Sequence, residues 1–209
     1  MGALAQFLYF CFVFALAFLL SLYVTPLVRR GAETYKVLDG PDGGLKTQAR
    51  PVPLLGGIAI YVTFLVTLAF TFEFREQILG LLLGGTMMAM LGLFDDLKIL
   101  SPGLKFLGQL LAVGVTLRSH IGIEVVGIPL FVALPLSVLW LVGITNAINL
   151  LDVSDGLAAS VSAVAAMALF LISAINGDGL IATTALTLSG CLAGFVFYNQ
   201  APARIYMGD

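Results

Sequence analysis

Carboxylates and amides stand where an otherwise apolar sequence has few polar groups. Asp95 and Asp96 follow the apolar run MLGLF. Asn146, Asn149, Asp152 and Asp155 recur every third residue in NAINLLDVSDG, and Asn199 and Asp209 bracket NQAPARIYMGD. Two adjacent carboxylates at an apolar boundary repel each other unless a cation lies near them. Adjacent helical residues point about 100° apart, so both reach one metal only if the helix ends there. Otherwise one serves a metal and the other a substrate. The plainer alternative is a solvated helix end with Lys98 pairing to it. In the third-residue series each step falls about 60° short of a full turn, so neighbours share a face while the first and last members oppose. That pattern suits a helix that breaks near Asp152, with Gly156 supporting the break. A polar helix cap is the competing reading, but carboxylates this close to hydrocarbon are expensive and usually functional.

The chemistry such groups support is that of a hard cation and phosphate. An oxygen-rich site suits Mg²⁺, with Mn²⁺ as the substitute, because Mg²⁺ binds through one or two carboxylates plus substrate phosphates. No His/Cys cluster points to zinc. Cys11 and Cys191 lie in apolar runs and read as small buried apolar residues, and the single His120 reads as lying on the outer side, apart from the polar clusters. In RPVPLLGG the prolines fix an extended entry and Gly56-Gly57 let backbone approach closely. Lys46 and Arg50 would supply the cations for a phosphate cradle there, although no Walker pattern occurs. Lys105, the one charge within 99–117, is counted with Asp95 and Asp96 as a candidate catalytic group. Tyr206, between Arg204 and Asp209, suits either stacking on a base or a membrane-interface position.

The elements that must position these groups are membrane helices. Apolar residues make up 60% of the chain and charged residues 11%, against about 45–50% and 25% in soluble domains. Residues 2–28, 51–72, 77–94, 125–151, 156–177 and 179–203 carry no charge, and 99–117 only Lys105. Since a spanning helix needs about 20 mostly apolar residues, an all-α polytopic bundle of about seven spans is predicted, forming a single transmembrane domain over 1–209. The first run has no basic segment before it and is too long for a signal peptide, so it reads as an uncleaved span. Lys and Arg gather in cytoplasmic loops. With the N-terminus outside, Arg29, Arg30, Lys36, Lys46, Arg50, Lys98, Lys105 and Arg204 fall inside, and only Arg75 and Arg118 outside. All four polar clusters then land on the cytoplasmic face, as one assembled site would require. A weak alternation over IGIEVVGIPLF suggests a short hairpin on the outer face.

The motifs GLFDDLK, NAINLLDVSDGLA and MGD, in this order, resemble the polyprenyl-phosphate N-acetylhexosamine-1-phosphate transferases, from about Asp39 to Asp209. PVPLLGG is more similar to the branch using UDP-N-acetylglucosamine than to the peptidoglycan phospho-N-acetylmuramoyl-pentapeptide translocase. The resemblance implies transfer of a sugar-1-phosphate from a UDP-sugar to a polyprenyl phosphate, Mg²⁺ dependence, an inner-membrane location with the site on the cytoplasmic face, no nucleic-acid partner, and room for a homodimer. Position by position it implies that Asp95 and Asp96 are the paired aspartates, one orienting or deprotonating the lipid phosphate and the other near the metal. It makes Asp209 the metal-binding aspartate, places Asp152, Asp155 and Asn199 in the nucleotide-binding region, and sets Tyr206 against uracil; Asn149 is counted with them as a candidate substrate-binding residue. Lys46 matches a basic residue of the first inside loop.

The sequence departs from the family pattern in places. Leu45, Lys46 and Gln48 stand where Arg-Lys-x-His is usual, and Val153 where Gly is usual. These bear on specificity more than on the reaction. Family members carry further spans and a later histidine-rich loop, so the chain reads as the N-terminal portion of a longer transferase. A flippase would carry its ionisable groups near the bilayer midplane, whereas these sit at span ends. A non-catalytic truncated paralogue would keep the motifs by descent alone.

Overall fold

The computed structural model describes residues 2–40, 50–71, 76–119, 121–123 and 128–209. Lys46 and His120 lie outside the described residues, as does part of the expected outer hairpin. Each predicted apolar run forms a helix: α1 (Ala3–Thr34), α2 (Gly56–Thr71), α3 (Glu76–Asp96), α4 (Pro102–Arg118), α5 (Leu130–Leu151), α6 (Leu157–Ile175) and α7 (Gly179–Asn199). Five of these, α1, α3, α5, α6 and α7, are long and apolar enough to cross a membrane. The chain is a multi-pass membrane protein of all-α class. At 16 and 17 residues, α2 and α4 reach only about 24–26 Å at 1.5 Å per residue, short of the roughly 30 Å hydrocarbon core. Both cysteines are free; Cys191 is buried, as a small apolar residue would be, whereas Cys11 is exposed.

The helices form two compact units, residues 1–72 with 151–208, and residues 73–150 with Asp209. In the first, α7 is the central helix, 61% buried over its apolar window against 17% for α1. Small residues make this possible. A Cβ at Gly190 would meet Ala17 and the Phe14 carbonyl, and one at Gly194 the Phe18 carbonyl and Ser21, the close approach typical of packed membrane helices. Cys191, Leu192 and Phe195 join Ala17, Ile60, Ala159 and Ile205 in the core. Pro26 lies inside α1 and has no N–H for the Leu22 carbonyl. The Tyr198 hydroxyl of α7 donates to that carbonyl at 3.0 Å, so a phenol from one helix satisfies the acceptor that a proline in another leaves open.

The sequence did not foreshadow a two-stranded antiparallel ribbon, β1 (Leu38–Asp39) with β2 (Val52–Pro53), in register Leu38↔Pro53. Its far edge is extended by Tyr206, whose N–H donates to the Pro53 carbonyl at 2.8 Å. The turn between α5 and α6 falls where the break was predicted: α5 ends at Leu151, and Gly156 adopts φ 73°, a left-handed conformation that favours glycine.

In the second unit α3 packs on α4, and α4 is tied to α5. Ser101 caps α4 by accepting from the Leu104 N–H, and Pro102 follows at the first turn. The α3 C-terminus closes through Lys98 at φ 57° and an Ile99 N–H to Phe94 carbonyl bond of 3.0 Å, the left-handed stop that ends many helices. Gln109, 4% exposed, exchanges amide hydrogen bonds with Asn146 of α5: the Asn146 Nδ2 donates to Gln109 Oε1 at 3.0 Å, and Gln109 Nε2 to Asn146 Oδ1 at 3.4 Å.

Candidate active site

At the Asp95 end of α3, the second unit gathers charged groups around Asp209. Lys105, one turn into α4, donates to Asp95 Oδ2 at 2.7 Å and also to Asp209 Oδ2. Asn149, in the last turn of α5, donates to Asp209 Oδ1 at 2.8 Å. The Asp209 main-chain N–H donates to Asp96 Oδ1 at 3.0 Å. The adjacent aspartates therefore have different partners, as expected for neighbours about 100° apart on one helix. Lys105 is the cation on Asp95, whereas Lys98, the partner in the solvated-end alternative, is exposed. Burial would raise the Asp209 carboxyl, but its side-chain interaction with Asp95, the hydrogen bonds from Lys105 and Asn149, and the Lys105 charge hold it down to about 2. Asp209 is thus anionic at neutral pH.

Three carboxyl groups share one ammonium in this cluster, and every metal donor it offers is an oxygen. That set fits Mg²⁺, which needs only one or two carboxylates besides phosphate and water. Among the described residues no three Asp, Glu, His or Cys side chains form a group placed to hold a metal ion by themselves.

The other candidates belong to the first unit. Asp155 Oδ2 accepts the Ala203 N–H at 2.8 Å. Burial raises the Tyr206 hydroxyl, and the charges of the Asp155, Asp39 and Asp152 carboxylates raise it further, so the phenol stays neutral. Asn199 is 1% exposed, and its amide donates to the Ile205 carbonyl at 2.9 Å, holding the turn that leads to Tyr206. The Gly56 and Gly57 N–H groups donate to the Tyr206 and Met207 carbonyls at 2.9 and 2.7 Å, so the glycines receive the chain's own backbone and their amides are used. Arg50 is exposed beside β2.

Sequence reasoning missed Asp39 and Gln109. Asp39 is brought near Tyr206 by backbone pairing of strands only two residues long, which leaves no periodic signal. Gln109 had one sequence signal, an amide inside an otherwise apolar run, one turn after Lys105.

A membrane helical bundle carrying a carboxylate–ammonium–amide cluster at a helix end is the class that fold and site define. The family model described as glycosyl transferase family 4 matches residues 78–209, and the chain belongs to that family. It is 33% identical over 205 residues to a probable undecaprenyl-phosphate N-acetylglucosaminyl 1-phosphate transferase of Bacillus subtilis, covering 94% of this chain and 57% of that protein. It is also 33% identical over 217 residues to a phospho-N-acetylmuramoyl-pentapeptide-transferase of Caldanaerobacter subterraneus, covering 94% and 67%, and 30% identical over 224 residues to that of Staphylococcus carnosus, covering 93% and 69%. The chain thus spans 57% of the length of the first of these relatives.

Proposed function

We propose that this protein transfers a sugar-1-phosphate from a UDP-sugar to a polyprenyl phosphate at the cytoplasmic face of the inner membrane, releasing UMP. The observation that carries the reading is Lys105 held between Asp95 and Asp209, with Asn149 on the second oxygen of Asp209. A lipid phosphate is already a nucleophile. It needs alignment with the sugar-bearing phosphorus and relief from charge repulsion. An oxygen of the lipid phosphate forms the new P–O bond to the β-phosphorus, the bond from that phosphorus to the bridging oxygen breaks, and the oxygen leaves with UMP. Asp95 orients or deprotonates the acceptor, and Lys105 offsets phosphate charge. Asp209, with Asp96, would hold Mg²⁺, which when bound would screen the diphosphate.

Asp152, Asp155 and Tyr206, with Asn199 behind them, are assigned to the nucleoside. The carboxylates of Asp152 and Asp155, with that of Asp39, repel phosphate but accept hydrogen bonds from ribose hydroxyls and base N–H groups. Lys46 and Arg50 are retained as candidate contacts to substrate phosphate. N-acetylglucosamine-1-phosphate is the favoured group, supported by the name of the Bacillus relative and by the PVPLLGG segment.

The test uses the protein in lipid nanodiscs with radiolabelled UDP-N-acetylglucosamine, undecaprenyl phosphate and Mg²⁺. Label should pass into the lipid extract only with all three present. Exchange of labelled UMP into UDP-N-acetylglucosamine without polyprenyl phosphate would replace direct attack with a covalent enzyme intermediate.

A further inference from the structure

We infer that Gly92 is a positioning residue, the place on α3 that lets the main chain of Asp209 lie against the helix. What the seat is for rests on the transfer reading above. Gly92 is buried, three residues before Asp95 and four before Asp96, so it shares their side of the helix. A Cβ at Gly92 would run into the carbonyl carbon and oxygen of Asp209. The obstacle is backbone and cannot swing aside as the end of a side chain can.

The same stretch of Asp209 is held from the other sides by Asp96, which accepts its N–H at 3.0 Å, and by Lys105 and Asn149 on its carboxylate. Gly92 provides the gap, Asp96 the acceptor, and Lys105 the cation that bridges to Asp95. Backbone freedom does not explain the glycine, since Gly92 is helical and its φ is not positive. Glycine in a helix interior is less stable than alanine, a local cost that the room for Asp209 offsets. Gly114 on α4 is the contrast, because a Cβ there meets nothing within 4 Å.

A methyl at Gly92 would push Asp209 away by about 1 Å to restore van der Waals contact, a displacement able to lower catalysis by about 10²-fold. A water-soluble carbodiimide tests the seat without metal or substrate, because it joins an amine to a carboxylate only when the two are already in contact. In the wild-type protein, mass spectrometry should find both Lys105–Asp95 and Lys105–Asp209 amides. In Gly92→Ala the Lys105–Asp209 product should fall several-fold relative to Lys105–Asp95, whose persistence reports that α3 and α4 remain packed. Gly114→Ala should keep the wild-type ratio. An unchanged ratio in Gly92→Ala, an equal fall in Gly114→Ala, or no Lys105–Asp209 product in the wild type would overturn the inference. Intact cross-links in a protein that transfers no sugar would count against the transfer reading and leave the seat standing.

Discussion

Asp209 illustrates how little of a site one side chain supplies. Its two carboxylate oxygens go to different helices, Oδ2 to Lys105 of α4 and Oδ1 to Asn149 of α5, while its N–H goes to Asp96 of α3. Asn149→Ala would remove a hydrogen bond to a charged acceptor, worth about 1.5–3 kcal/mol. If that bond is used in the transition state, kcat/KM for UMP release should fall roughly ten- to hundred-fold with the helical circular dichroism unchanged. Activity within two-fold of wild type would remove Asn149 from the site. At this scale the sequence was legible in residue types but less so in pairings. The series Asn146, Asn149, Asp152, Asp155 reads as one motif, yet the chain divides it at Leu151: the asparagines serve Gln109 and Asp209, and the aspartates lie with Tyr206. Lys105 was hidden as the partner of Asp95 because ten residues and a helix–turn–helix separate them, whereas Lys98 stands nearby in sequence.

Among elements, the apolar runs were legible because a membrane helix needs length and an absence of charge, and both can be read from composition. The β1–β2 ribbon was not, since strands of two residues are held by backbone bonds that any side chain permits. The Gly56-Gly57 signal was correct in kind, a close backbone approach, but the approaching group is the chain's own Tyr206–Met207 segment. The join of α1 to α7 rests on Pro26 and Tyr198. Tyr198→Phe leaves the Leu22 carbonyl without its donor, at a cost of about 1–3 kcal/mol, and should lower the detergent melting temperature. Adding Pro26→Ala returns a backbone N–H to that carbonyl, so the double variant should melt above Tyr198→Phe alone. If the second substitution deepens the loss, the carbonyl is not the cause.

For the whole molecule, the charge split is the ground for the proposed orientation, and the carboxylate cluster is the ground for the proposed chemistry. Asp178 caps the start of α7 and Arg204 follows its end, across 21 helical residues, or about 31 Å. In a background lacking Cys11 and Cys191, a cysteine at 178 should react with an impermeant maleimide from outside and one at 204 only from the cytoplasm. Reaction of both from one side would refute the orientation. The claim that everything else serves is that Asp209 and its partners perform a metal-assisted transfer, and its most direct test is a Mg²⁺ titration of UMP release from UDP-N-acetylglucosamine and undecaprenyl phosphate, comparing wild type with Asp209→Asn. The account predicts release that saturates with Mg²⁺ and stops with chelator in the wild type, and release at least about 10²-fold lower in Asp209→Asn. Wild-type rates in Asp209→Asn at ordinary Mg²⁺, or release indifferent to chelator, would contradict it.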